Sequence, residues 1–174
     1  EQVSMAVLRS RLLKRLRAAD GFGRLHVYYP GIEDENVQVR VHSKVCFIDD
    51  RLLRVGSANL NNRSMGLDTE CDLAVEAKEP ATENSIAYLR NRLLAEHLGV
   101  SPEKVAQEHL AERSLVKAIE KLRGGKRTFG ILDGSVSPAL DDMIPEAAII
   151  DPERPLSPDD LMKQFIPTGT RRRA

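Results

Sequence analysis

The sequence predicts an α/β domain, a mixed β-sheet flanked by helices, followed by an irregular C-terminal extension. Three observations predict it. The chain opens on a segment with helical apolar spacing, passes through short β-branched segments, and then returns to helical spacing. Its last stretch of about fifty residues is rich in Pro, Gly, Asp and Ser. The division falls at residues 1–125 for the folded unit and 126–174 for the extension, and no repeat is visible.

Each element follows from its own pattern. In residues 4–19, Met5, Leu8, Leu12, Leu13 and Leu16 recur at helical spacing, with Arg9, Arg11, Lys14, Arg15 and Arg17 between them; Gly21 and Gly23 end the helix. Leu25-His26-Val27-Tyr28-Tyr29 reads as a short strand closed by Pro30-Gly31, and Glu33-Asp34-Glu35-Asn36 as an acidic loop. Residues 37–48 and 52–55 are β-branched and apolar, and Asp49-Asp50-Arg51 between them predicts a tight antiparallel turn. Residues 71–75 give another strand. Residues 81–98 form a helix with Ile86, Leu89, Leu93 and Leu98 on one face and Gly99 as its stop. Ser101-Pro102-Glu103 opens the next helix, with an N-cap serine and a proline at the first helical position. That helix uses Val105, Leu110, Val116, Ile119 and Leu122 and ends at Gly124-Gly125.

The 174 residues suit one domain or slightly less, and a core drawn from 41% apolar and 4% aromatic content is mostly aliphatic. The 26 basic residues balance 26 acidic ones, so the chain as a whole offers no electrostatic case for nucleic acid or an anionic membrane. The basic run over residues 9–17 reads as a solvated helix face, and Arg171-Arg172-Arg173 as a disordered tail. Cys46 and Cys71 sit in apolar segments and read as buried free thiols; a disulfide between them needs an oxidising compartment, of which there is no other sign. No secretory leader is visible, and no apolar run is long enough to span a bilayer. The chain starts at Glu1 rather than Met, so a longer parent is expected, and localisation reads as cytoplasmic or membrane-peripheral. His26, His97 and His109 have no partner pattern and read as structural.

The chemistry lies in Val41-His42-Ser43-Lys44-Val45-Cys46-Phe47-Ile48-Asp49. On a strand, side chains two apart share a face, so His42 and Lys44 point the same way. An imidazole beside a fixed ammonium suits a phosphate: the lysine neutralises oxygens while the histidine attacks phosphorus or moves a proton. In Gly56-Ser57-Ala58-Asn59, Ser57 and Asn59 are likewise two apart. If the strands pair across Asp50-Arg51, Lys44 comes near Ser57 and His42 near Asn59. Cation, imidazole, hydroxyl and amide then converge on a patch that binds a phosphodiester without a metal. No cofactor is called for, and no Cys/His or carboxylate cluster stands at metal-ligand spacing. Taken alone, a strand histidine is more often structural than catalytic. The glycine-serine-asparagine segment at hairpin spacing lifts His42 above that reading.

Residues 42–76, HSKVCFIDDRLLRVGSANLNNRSMGLDTECDLAVE, closely resemble the phospholipase D signature. That signature is H-x-K with four spacers and D, then G-S-x-N, then N-x-R-S, then an acidic residue. The matching positions are His42, Lys44, Asp49, Gly56, Ser57, Asn59, Asn61, Arg63, Ser64 and Glu70, with no departure at any of them. The flanking helices resemble those of bacterial members acting on phospholipids. The resemblance implies a fold of two similar α/β halves about a pseudo-twofold axis, each giving a His, a Lys and an Asn to one phosphate site. It implies a phosphohistidine on one half and protonation of the leaving alcohol by the other, hence phosphodiester hydrolysis or phosphatidyl transfer on phospholipids. This chain would supply the second motif, with His42 as general acid and base. Lys44, Ser57 and Asn59 would bind phosphate, Glu70 would orient an active-site imidazole, and Asp49 would be a structural partner at the strand end. Asn61 is a further candidate, and Arg63 either meets phosphate or ties its loop by a salt bridge.

The implied partner is the N-terminal catalytic half of the same polypeptide or a homodimer mate. The implied substrate is a phospholipid, with membrane association through it; nucleic acid is not expected. The rival reading is a small single-motif phosphodiesterase or nuclease that completes its site by homodimerisation. The short stretch before His42, the start without Met and the N-x-R-S extension favour the two-half reading. A catalytically silent scaffold would be expected to have lost His42, Lys44 or Asn59, and all three are present.

Overall fold

The computed structural model describes residues 2–33 and 37–142. The acidic loop at Asp34, Glu35 and Asn36 and the arginines at 171–173 therefore lie outside the described residues. The elements run α1 (Gln2–Ala19), β1 (Tyr28–Ile32), β2 (Val37–Gln38), β3 (Lys44–Ile48), β4 (Leu52–Gly56), α2 (Asn62–Gly66), β5 (Asp72–Glu76), α3 (Pro80–Leu98), α4 (Pro102–Glu112), α5 (Leu115–Leu122), β6 (Arg127–Ile131) and α6 (Pro138–Asp142). Helices and strands combine as an α/β fold. The strands form two three-stranded sheets, ordered β2-β1-β6 and β3-β4-β5, with every pairing antiparallel.

Apolar burial centres on the helices and the first sheet. Ala95, Leu98 and Val105 form a buried cluster from α3 and α4, against which Leu94, Val100, Leu122 and Phe129 pack. Gly99 stops α3 in the left-handed conformation at φ 66°, as its place after Leu98 predicts. Helix α1 buries Val7 and Leu13. Its cationic face is not wholly solvated: Arg17 donates to the carbonyls of Leu132 and Asp133, and Arg11 pairs with Asp141 at 2.7 Å.

Four expectations are corrected. The first concerns Pro30 and Gly31, which lie inside β1 rather than closing it. Proline is tolerated there because Pro30 faces Phe129 of β6 without needing to donate. Its carbonyl accepts from Val39 N–H at 2.8 Å on the opposite side, where the two-pair β1–β2 ladder has ended. Second, the helix expected from Ser101 to Leu122 is two helices. Arg113 turns left-handed at φ 51°, Ser114 restarts the chain by accepting from Lys117 N–H at 3.3 Å, and Leu110 is exposed. Third, the start of the expected irregular extension is regular: β6 pairs with β1 along five residues, and α6 follows, while residues 143–174 of that extension lie outside the described residues. Fourth, Cys46 and Cys71 are free but exposed. Their sheet explains this. In β3-β4-β5, Val45, Phe47, Leu53, Val55, Leu73 and Val75 share one face by register, yet every residue of β5 is exposed. The apolar runs that suggested a buried strand are real, but this sheet is not covered on both sides.

Candidate active site

The site begins at a turn. Asp49 and Asp50 adopt φ 47° and 55°, the left-handed region that short polar side chains tolerate better than most, and Arg51 N–H donates to Ile48 O at 2.9 Å. Three residues, Asp49, Asp50 and Arg51, separate the paired ends Ile48 and Leu52. That odd count sets the register and places Lys44 opposite Gly56. The expected pairing of Lys44 with Ser57 and of His42 with Asn59, across Asp50-Arg51, is therefore off by one residue. A one-residue slip reverses strand parity. The Gly-Ser-x-Asn side chains are not set by the ladder, because β4 ends at Gly56.

His42 and Lys44 do meet. His42 stands exposed just before β3, and Lys44 opens the strand. Lys44 Nζ donates to the His42 carbonyl at 2.8 Å and lies 3.2 Å from His42 Nε2. An ammonium has only donors, so the contact forms as a hydrogen bond when Nε2 carries no proton. Two hydrogen-bonding groups thus share one exposed lip of the hairpin.

Beyond β4, Ser57 organises the loop. Its Oγ donates to Glu70 Oε2 at 2.5 Å and accepts from Cys71 N–H at 2.9 Å, while Ser57 N–H donates to Cys71 O at 3.1 Å. The Glu70 carboxylate, expected to orient an active-site imidazole, accepts from the serine hydroxyl within this chain, and the Nε2 of His42 has Lys44 as its neighbour. Asn61 caps α2, accepting from Ser64 N–H at 2.8 Å. Arg63 pairs with Asp68 at 2.9 Å, so of its two readings the geometry realises the loop-tying one. Asn59 is exposed in the loop between Ser57 and Asn61. Asp49 lies at the hairpin turn, away from the His42 end of β3.

Two participants were missed from the sequence. Asp72 opens β5 opposite Gly56, fills the space over that glycine and pairs with Arg54 at 3.0 Å. The strand position of Asp72 was legible, but its partner depends on the register. Arg90 of α3 pairs with Asp50 in the turn, a contact across forty residues that no local pattern signals. Among the described residues no group of three or more His, Cys, Asp or Glu is placed to hold a metal ion, and no helix is long and apolar enough to cross a membrane.

Helices, two antiparallel sheets and a His-x-Lys pair on the lip of a hairpin define an α/β protein with a compact polar site ahead of a Gly-Ser-x-Asn loop. A family model for phospholipase D matches residues 26–127, more than half of the chain, and the chain belongs to the phospholipase D family. It is 31% identical over 81 residues to a phospholipase D of Phytophthora infestans, covering 40% of this chain and 4% of that protein. It is 32% identical over 105 residues to phospholipase D alpha 4 of Arabidopsis thaliana, covering 59% and 13%. With phospholipase D zeta 2 of Arabidopsis thaliana it shares 36% identity over 75 residues, 36% of this chain and 7% of that protein. The chain thus spans between 4% and 13% of the length of these curated relatives. They are eukaryotic, and the expected likeness to bacterial members finds no support in them. No solved structure matches the chain.

Proposed function

We propose that this chain is one catalytic half of a phospholipid phosphodiesterase or phosphatidyltransferase that works through a phosphohistidine, and that it supplies the second His-x-Lys motif. One observation carries the reading: Lys44 Nζ and His42 Nε2 converge to 3.2 Å on an exposed lip, in a chain of the phospholipase D family. A phosphodiester arriving there accepts from Lys44 through a non-bridging oxygen and frees Nε2 for proton transfer. A histidine of the other half attacks phosphorus. The new P–N bond forms as the P–O bond to the head group breaks, and His42, entering this step as the imidazolium, delivers its Nε2 proton to the leaving oxygen. Water or an acceptor alcohol then attacks phosphorus, His42 takes its proton, and the P–N bond breaks.

Two histidines are needed because a nucleophile bonded to phosphorus cannot also protonate the leaving oxygen. In this reading Asn59 completes the phosphate contacts, and Ser57 joins them by turning its one hydroxyl proton from Glu70 to phosphate. The Ser57–Glu70 bond shapes the loop that presents them, and Asp49 is structural.

The test compares the isolated chain, the same chain joined behind a phospholipase D first half carrying its own His-x-Lys, and the His42→Ala form of each. Substrates are a short-chain phosphatidylcholine and bis-p-nitrophenyl phosphate. Turnover only in the joined protein, abolished by His42→Ala, is expected. Full turnover by the isolated chain, lost in His42→Ala, would establish a homodimeric phosphodiesterase in its place.

A further inference from the structure

We propose that Arg90 is a positioning residue for the His-x-Lys hairpin: from α3 it latches the Asp50 carboxylate at the turn and so sets the tilt at which β3 presents Lys44 and His42. The contact is made by Arg90 Nη1 and Asp50 Oδ1. The arginine side chain is 11% exposed and is held from its other side before it reaches the turn. Its Nε and Nη2 donate to Asn91 Oδ1 at 3.2 and 3.1 Å, and Nη2 lies 3.3 Å from His109 Nδ1. A guanidinium fixed by its neighbours loses little further freedom on meeting a carboxylate.

What surrounds the contact decides its importance. A cavity of about 600 Å³ lies between the hairpin and the helices, with Phe47 on one wall and Leu93, Leu94 and Leu115 on the other. Apolar side chains line this gap without closing it, so close packing does not fix the hairpin against α3. The ion pair at its edge does. From the turn to Lys44 is six residues of extended chain, roughly 20 Å, so a tilt of about 10° at the turn displaces the lysine by roughly 3 Å. Catalytic groups tolerate misplacement of about 0.5 Å. The catalytic consequence rests on the reading of His42 and Lys44 proposed above; the latch itself does not.

Asp50→Gly and Arg90→Met each remove one partner, and Arg90→Lys retains a cation. Glycine adopts the turn's positive φ without strain, so Asp50→Gly removes the carboxylate while favouring the turn. Amide hydrogen exchange is followed by NMR across the chain, with the His42 ring cross-peaks recorded in parallel. We expect both removals to accelerate exchange of β3 and β4 amides about tenfold while α4 and α5 change by less than about twofold. The double variant should add little to either single change. The His42 cross-peaks should move in the same direction in both, and Arg90→Lys should bring them part of the way back. Unchanged or slower β3–β4 exchange in Asp50→Gly would overturn the latch, because the turn alone would then hold the hairpin. Equal acceleration in all elements, or stationary His42 cross-peaks, would also overturn it. None of these readouts needs turnover, so failure of the latch is distinct from failure of the catalytic reading.

Discussion

Lys44 lies directly across the β3–β4 hairpin from Gly56, and Asp72 on the next strand fills the space that a side chain at position 56 would occupy. The row Lys44, Gly56, Asp72 therefore carries a cation and an anion with an empty position between them. Arg54, two residues before Gly56 and on the same face, holds Asp72 at 3.0 Å. The glycine is needed for close approach, not for its backbone freedom. Gly56→Ala is expected to displace the Asp72 carboxylate, disturb its pair with Arg54 and cost about 1–3 kcal/mol, read from the midpoint of urea unfolding. Adding Asp72→Gly to that variant should recover part of the loss and no more, since the carboxylate clash is then gone while the Cα of residue 72 stays 2.8 Å from the new Cβ.

Ser57 is the hinge of the loop after β4, with one hydroxyl serving as donor to Glu70 and acceptor from Cys71. Ser57→Ala leaves both partners unmatched and should lower stability by about 1 kcal/mol, with faster hydrogen exchange at the Cys71 amide. Glu70→Gln keeps an acceptor for the hydroxyl and should have a smaller effect. Because the Glu70 partner is Ser57, Glu70→Gln should leave the His42 ring cross-peaks in place. A clear displacement of those peaks would show that Glu70 also governs the imidazole.

His109 sets a pH dependence. Its burial, and secondarily the charge of Arg90 beside it, pull its pKa below 6.5. Asp50 lies on the far side of that arginine, and Arg113 lines a cavity together with Arg90 and His109. The folded pKa is the lower one, so below 6.5 the unfolded chain binds a proton that the native chain does not yet accept. The His109 contribution is complete above 6.5 and declines as pH falls through the depressed folded value. Thermal midpoints measured from about pH 7.5 to about pH 5 should fall toward acid, and His109→Gln should flatten that slope. Equal slopes in the two proteins would remove His109 from the account.

Arg113 joins α4 to α5 in a left-handed conformation at φ 51°, where an arginine has a steric cost that glycine lacks. Arg113→Gly should therefore stabilise the protein by about 0.5–1 kcal/mol in denaturant unfolding. Destabilisation instead would mean that the Arg113 side chain holds the junction of the two helices.

Local chemistry was the most legible. Gly99 as the end of α3, Ser101 with Pro102 as the start of α4 and Asp49-Asp50-Arg51 as a turn all act within one or two turns of chain. The side chain that decides each outcome sits beside the backbone it affects. The same holds for His42 and Lys44, two residues apart and in contact. The break at Arg113 was less legible because the apolar spacing continues across it. Ser114 carried a capping signal, but helical periodicity on both sides masked it.

The relations among these pieces came from the tertiary arrangement. Whether the hairpin centres on Asp50 or between Asp50 and Arg51 depends on a three-residue loop whose conformation is stabilised by both strands, and that choice moved every cross-strand neighbour of Lys44. Glu70 was expected beside an imidazole, and the β4–β5 register brings it the Ser57 hydroxyl. Cys46 and Cys71 stand in segments as apolar as any core strand, yet the exposure of their sheet depends on what lies over it, which no pattern within the strand records. Arg90 reaches Asp50 across forty residues, through the docking of α3 against a turn. Residue type and spacing specify interactions between neighbours in the chain, whereas register, coverage and long-range charge pairing follow from how whole elements pack, where the free energies of many contacts are settled together.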